Sequence, residues 1–359
     1  MSSSDSRIWR KFRRNPLAMA GLFFIAAMVV VSVAGALIRP DDSINSNDQF
    51  LAISRMKPGF EVDFLVIKEP SEIGFFSKWW SGGRALDGEM LPVESVEWRG
   101  DSLNAIPFGE SDVKVFHLSE FDGVSSQQEV LDRMVHRNYL LGTDKYGRDL
   151  MSRLMAGTII SLSVGAIAVV ISLLIGLTLG LLAGYYRGKV DALIMWFTNV
   201  IWAVPTLLLV MAITFAFGTG FWKVFLAVGL TMWVEVARIT RGQVLSIREK
   251  EYIEASRALG FSDLRIMFKH ILPNIWSPII VISAANFASA ILIEAGLSFL
   301  GLGAQIPAPS WGNMIREHYA YITTDLAYLA LIPGVLIMLL VLSFMMVGNG
   351  LRDALDVKV

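Results

Sequence analysis

The 359-residue chain contains no cysteine. Disulfide frameworks, thiolate metal sites and cysteine nucleophiles are thereby excluded. Histidine is almost as scarce. His117, His136, His270 and His318 are scattered, with no HExxH pair, and give no support to a histidine metal centre. Charge is sparse too, at 18% of residues against the roughly 25% usual for a soluble domain. The 31 basic residues nearly cancel the 32 acidic ones, which excludes a generally basic nucleic-acid binder. What the chain has in excess is apolar residues, 54% of the total.

About 20 residues of helix cross the hydrocarbon core of a bilayer. Uncharged runs of at least that order lie between Arg14 and Arg39, Arg153 and Arg187, Asp191 and Lys223, His270 and Glu294, and Asp325 and Arg352. A sixth runs from Phe221 to about Thr240, interrupted by Glu235 and Arg238, after a Gly218-Thr219-Gly220 turn that reverses the chain. Six transmembrane helices are expected. The first, 17–38, is longer than the roughly 7–15-residue apolar region of a signal peptide, so it reads as an uncleaved span despite Ala34-Gly35-Ala36. Arg7, Arg10, Lys11, Arg13 and Arg14 precede it, which makes 1–16 a cytoplasmic basic N-terminus by the positive-inside rule. Alternating crossings then put Arg187, Lys189, the basic segment from Arg238 to Lys269 and the C-terminal 349–359 in the cytoplasm as well.

Residues 39–140 break the pattern. From Arg39 through Ala156 there are 13 basic and 20 acidic residues, a balance of −7, while the rest of the chain carries +6. That sorting fits an acidic extracytoplasmic insertion ahead of a membrane core at 141–348. Phe60-Glu61-Val62-Asp63-Phe64 alternates as a half-buried strand does, and Val113-Lys114-Val115 does so more briefly. Gly82-Gly83 and Leu91-Pro92 are read as breaks, and the insertion as small and mainly β.

Within the membrane core, Gly176, Gly180 and Gly184 stand four apart, a doubled GxxxG that admits close helix packing, within this subunit or against another. Pro205 and Pro333 are expected to kink the third and sixth spans. Glu294 lies toward the outer end of the fifth span, where an intramembrane carboxylate faces a translocation path, pairs with another helix or reaches the interface. Glu235 with Arg238, and Asp149 with Arg153, have the spacing of local ion pairs.

The longest cytoplasmic loop, about 241–276, is the most informative segment. Tyr252, Ala255, Ser256 and Leu259 share a helical face, and Gly260 follows at the position of a left-handed cap. Ser262 suits an N-cap, and Asp263 the positive end of a second helix. In that helix Leu264, Met267, Phe268 and Ile271 form an apolar stripe, with Arg265, Lys269 and His270 on the polar side and Pro273 at the end. Two short helices at about right angles are expected, resting on lipid or docking a cytoplasmic partner.

The string Glu254-Ala255-Ser256, then Gly260, then His270-Ile271-Leu272-Pro273 resembles the EAA loop of ABC-importer permeases, departing from it at Ser256 and His270. The fuller EASRALGFSDLRIMFKHILPN resembles the dipeptide, oligopeptide and nickel branch. So do NPLAMAGL (15–22), LGTDKYGRD (141–149), EAGLSFLGLG (294–303) and GLRDALD (350–356). The resemblance spares only about Arg39 to Asn138, to which nothing is carried over. It implies an all-α type I permease of the bacterial inner membrane that forms half of a translocation pathway. It also implies a second homologous permease, two cytoplasmic ATPases and an extracytoplasmic substrate-binding protein as partners. Leu264, Met267 and Phe268 are candidate anchors in an ATPase groove. ATP and magnesium would belong to those ATPases. In this chain Gly188-Lys189 is followed by valine and lacks the upstream glycine of a P-loop, so no cofactor of its own is expected. Di- or oligopeptides lead as cargo, with nickel or another small solute as the alternative. An ion-coupled carrier would show two related halves, and none is visible. A membrane enzyme would need a catalytic constellation that the sequence lacks.

Overall fold

A computed structural model describes residues 3–71, 73–218 and 220–355. In chain order come α1 (Ser3–Arg13), α2 (Pro16–Ile38), β1 (Phe60–Lys68), α3 (Phe75–Ser81), β2 (Glu89–Arg99), β3 (Ser102–Pro107), β4 (Lys114–His117), α4 (Gln127–Asp132) and β5 (Val135–Tyr139). Then follow α5 (Leu150–Tyr186), α6 (Gly188–Trp202), α7 (Thr206–Phe217), α8 (Phe221–Arg248), α9 (Glu251–Ala258), α10 (Asp263–Arg265), α11 (Trp276–Phe299), α12 (Trp311–His318) and α13 (Tyr328–Leu355). The expected helical membrane architecture with a small β insertion is the one observed.

Among the described residues, α2, α5, α11 and α13 are each long and apolar enough to cross a membrane. The third expected span is not one helix. It breaks between Trp202 and Thr206 into α6 and α7, which meet at 90°. Pro205 sits at the break, where its ring would crowd the carbonyl four residues back. Pro333, by contrast, lies inside α13 without ending it. The span expected from Phe221 to about Thr240, fourth in chain order, lies in α8. Its 28 residues are long enough to cross at about 1.5 Å per residue, but α8, carrying Lys223, Glu235 and Arg238, is not among the helices apolar enough to do so. Ahead of it Gly218 and Gly220 have positive φ, as a reversing turn requires; Thr219 lies outside the described residues.

The chain divides into two units. One comprises Met1–Val29, Ile160–Gln305 and Gly334–Val359, the other Val30–Ile159 and Ile306–Pro333. In the first, α8 packs against α6, α7 and α11. A Cβ on Gly176, Gly180 or Gly184 would approach Val236 Cβ to 2.5 Å, the Ala237 carbonyl oxygen to 2.6 Å and Val244 Cβ to 2.7 Å. The doubled GxxxG of α5 is therefore a seam against α8 of the same chain, at separations that exclude any side chain.

The second unit holds a five-stranded antiparallel sheet in the order β4-β3-β2-β1-β5. In β1, Val62 and Phe64 are buried while Glu61 and Asp63 face out. Leu65, Val93, Leu103, Ala105, Phe121 and Val130 form one core, and Ile53, Val62, Phe64 and Tyr139 another. Two expectations are corrected. Val113 and Val115 are exposed, because β4 is an edge strand whose inward residue is Phe116. Leu91-Pro92 is no break but part of β2; pairing with β3 starts only at Val93, so the missing proline N–H costs no ladder bond on that side. Gly82 and Gly83 do end α3, Gly82 in the left-handed region. The aromatics of α3 are exposed, and Trp79 donates its indole N–H to the Val33 carbonyl of α2.

Candidate functional site: a coupling loop and a membrane cavity

The loop from α9 to α11 is built on a short helix, a left-handed residue and a widened turn. In α9, Ile253 and Ser256 face inward, and the Ser256 hydroxyl donates to the Tyr252 carbonyl at 2.8 Å. Glu254 and Ala255 face outward. Gly260 has φ +76°, with its N–H on the Arg257 carbonyl (2.9 Å) and the Phe261 N–H on the Ser256 carbonyl (3.2 Å). That is the expected glycine cap, the second bond spanning five residues. Ser262 has extended N-cap geometry, but its side chain caps nothing. Asp263 instead accepts the Tyr185 hydroxyl at 2.6 Å, which ties the loop to the end of α5. Arg248 donates to the Tyr185 carbonyl, and Arg187 pairs with Glu249.

The second helix is not regular. After α10 the chain opens into a π turn, Ile266–Ile271, and closes through a 3-10 turn, Leu272–Asn274. Pro273 has no amide hydrogen to continue an α-helix, and its ring crowds the Lys269 carbonyl. The wider turn splits the expected stripe. Ile266, Met267 and Ile271 go into a core with Leu181, Tyr185, Val244, Ile253, Ile275 and Ile279. Leu264 and Phe268 stay 63% and 55% exposed, alongside exposed Tyr252 and Leu259. Met267 is thus a core residue and not an anchor. His270 stacks on Phe261 with ring centroids 5.7 Å apart, Arg265 covers the other partner of that stack at 4.1 Å from the Phe261 centroid, and Pro273 is exposed.

The other motif-bearing carboxylates are internal. Glu294 is 1% exposed and accepts the Ser298 hydroxyl at 2.6 Å; the Ala304 N–H bonds that same hydroxyl at 3.3 Å. A Cβ on Gly303 would lie 1.9 Å from the Ser298 hydroxyl oxygen, so EAGLSFLGLG folds back on itself. Glu294 does not line an open surface of this chain. In LGTDKYGRD, Asp144 accepts the Tyr146 and Arg148 amides at 2.8 and 3.0 Å and Arg148 Nε at 2.6 Å. Arg148 Nη2 reaches Glu317 at 2.8 Å, and its side chain is only 1% exposed. Asp144, Glu317 and His318 bring their ligand atoms within 4.8 Å of one another, but the Arg148 guanidinium bridges the two carboxylates. The cluster is a clasp neutralised by arginine, not a cation cage. The expected Asp149–Arg153 surface pair is not formed. Asp149 caps α5 through the Ser152 amide (2.9 Å) and hydroxyl, and buried Arg153 turns to Asp144 at 3.7 Å.

Nor do Glu235 and Arg238 pair. Arg238 donates to Asn199 and lies 4.1 Å over the Trp202 ring. Glu235 is exposed and opens into a cavity of about 250 Å³ at the α6–α7 break, with Trp202, Thr206, Thr231, Asn286 and Ser289. Its sequence signal was a lone carboxylate in an otherwise apolar span; the i, i+3 arginine obscured it.

Residues 176–359 match the family described as "Binding-protein-dependent transport system inner membrane component", and residues 6–58 the "N-terminal TM domain of oligopeptide transport permease C". The glutathione transport system permease protein GsiD of Pectobacterium atrosepticum is 43% identical over 218 residues, 61% of this chain and 72% of that protein. The dipeptide transport system permease protein DppC of Alkalihalophilus pseudofirmus is 44% identical over 217 residues, 60% and 71% of the two chains. The chain belongs to the binding-protein-dependent inner-membrane permease family. This permease is a multi-pass inner-membrane protein and not itself a catalytic subunit. The Lactococcus lactis dipeptide permease DppC is 32% identical over 348 residues, 97% of this permease and 89% of that one, so most of the inserted sheet falls within that alignment. The α9–α11 loop, the glycine seam and the cavity all lie in the part matched by the family.

Proposed function

We propose that the permease forms half of the translocation pathway of an ATP-driven importer of di- or oligopeptides. A second homologous permease would complete the pathway, two cytoplasmic ATPases would bind ATP and magnesium, and an extracytoplasmic binding protein would deliver cargo. The peptide assignment is supported by relatives named for dipeptide, oligopeptide and glutathione transport. The observation that carries the coupling role is the loop surface: Tyr252, Leu259, Leu264 and Phe268 remain exposed on a segment whose Ile253, Ile266, Met267 and Ile271 are packed in a core. Exposed apolar side chains grouped on one short element mark a docking surface. Helix-in-groove recognition by an ATPase fits them. Because Asp263 bonds the Tyr185 hydroxyl at the C-terminal end of α5, and Arg248 and Glu249 join the C-terminal end of α8 to that same end, a push on the loop reaches both membrane helices directly.

In this reading both termini and the loop are cytoplasmic, and residues 39–140 face outward. The insertion contacts the binding protein or shields the pathway mouth, and contributes nothing to ATPase docking. Joining Pro40 to Asn138 through a short flexible linker tests this. Binding-protein affinity should fall while ATPase co-purification persists. Full affinity and a normal transport rate in the shortened permease would remove the docking role. The whole assignment is tested by uptake of trialanine into vesicles, which should require internal ATP and no ion gradient.

A further inference from the structure

The cavity at the α6–α7 break holds the one group in it that carries formal charge among the described residues, Glu235. A carboxylate at the middle of a membrane helix costs several kcal/mol unless it is paired or faces water. Here the i, i+3 arginine is taken by Asn199 and Trp202, and no cation lies within 4.0 Å of Glu235 among the described residues. The neighbourhood is short of partners in a second respect. Asn286, 2% exposed, lines the same cavity, and its side-chain amide nitrogen has no hydrogen-bond partner there. Buried amides are ordinarily satisfied, and an exception in a cavity points to something that visits it. Thr206, Thr231 and Ser289 add hydroxyls, and Trp202 adds an exposed aromatic wall. At about 250 Å³ the space is smaller than the roughly 300–1,000 Å³ of a pocket that encloses its ligand. It suits a contact point along a path.

We infer that Glu235 is a selectivity residue of the pathway, receiving the ammonium group of a passing peptide while Asn286 bonds the peptide's backbone amides. This rests on the peptide reading above. The broken helix supports it physically, since discontinuous membrane helices build substrate sites near the midplane of transporters. The assignment to an ammonium, and not to an anion, follows from the sign of the one charge facing the space among the described residues.

The test uses the complete transporter with its partner subunits in proteoliposomes, with ATP inside and trialanine presented on the binding protein. Glu235→Gln should lower trialanine uptake about tenfold or more, the scale of one lost hydrogen bond to a charged group. ATP hydrolysis stimulated by the loaded binding protein should persist, and Glu235→Asp should recover part of the uptake. Unchanged uptake by Glu235→Gln overturns the inference. So does loss of the second permease on co-purification, which would make Glu235 an interface residue. If the unsubstituted transporter takes up no trialanine, the peptide reading itself fails; if it does and Glu235→Gln matches it, only the inference fails.

Discussion

The loop between α8 and α11 and the clasp ahead of α5 are two segments of opposite construction. Both carry family-like strings with several charged residues. In the clasp every charge of the string that matters is folded inward: Arg148 between Asp144 and Glu317, Arg153 toward Asp144, Asp149 over the first turn of α5. In the loop the charges and half of the apolar side chains are left outside. A string of matching residues therefore has two physical meanings. One holds the chain's own fold, and the other leaves a surface unfinished for a partner to complete.

The difference can be broken first at the clasp. Arg148→Met should leave Glu317 without its cation and Asp144 with only the 3.7 Å contact to Arg153, and destabilise by about 3–5 kcal/mol. Thermal unfolding of the purified permease should show the largest fall of any variant here. A comparable loss in Leu264→Ala would erase the distinction. Next, Gly180→Val puts a branched side chain where even a Cβ would meet the Ala237 carbonyl at 2.6 Å. Overpacking of this kind costs about 1–3 kcal/mol, and the expected readout is lowered thermal stability before any specific loss of ATPase binding.

Gly260→Val sharpens the contrast from the other side. Nothing lies within 4 Å of its Cβ position, so the whole penalty is the left-handed backbone, about 1–2 kcal/mol for a side-chain-bearing residue. The variant should insert, keep its thermal stability within a few degrees, hydrolyse ATP in the complex and fail to import. Normal ATP-driven uptake would show that the cap does not set the docking angle.

Legibility in the sequence followed the same division. Gly260, the glycine seam and the break at Pro205 were readable because each rests on a local steric rule. The alternation of Phe60 to Phe64 was readable because over those residues only one face of β1 is buried. Met267 was not, since it lies within the π turn Ile266–Ile271, which departs from the 3.6-residue register on which the stripe was drawn. Spacing misassigned both ion pairs for a common reason. Arg153 and Arg238 chose partners brought by other segments, Asp144 from a loop and Trp202 from α6, over the carboxylate one turn away. The insertion's cores also needed tertiary pairing to be seen.

A smaller effect concerns pH. His318 sits in the clasp with Nδ1 2.8 Å from the Met314 carbonyl oxygen, and burial holds its pKa below the ordinary histidine value. A depressed histidine contributes stability that is present above the unfolded value of about 6.5 and lost as pH falls through the folded one. The permease should therefore unfold more readily below about pH 6 than His318→Asn does relative to its own neutral-pH value. Parallel pH dependence in the two proteins would remove His318 from the account.

The smallest structural change carries the most direct test. Phe268→Ser alters one exposed side chain that lies outside the core around Met267, so the permease should unfold at an unchanged temperature. The affinity of the cognate ATPase for the reconstituted permease should nevertheless fall about tenfold or more, as truncation of an aromatic anchor at an interface centre does. Titrating the ATPase against the unsubstituted and Phe268→Ser permeases measures this. A clear loss of affinity at constant stability is the expected result, and equal affinities would contradict the claim that the loop's exposed apolar face is the coupling surface.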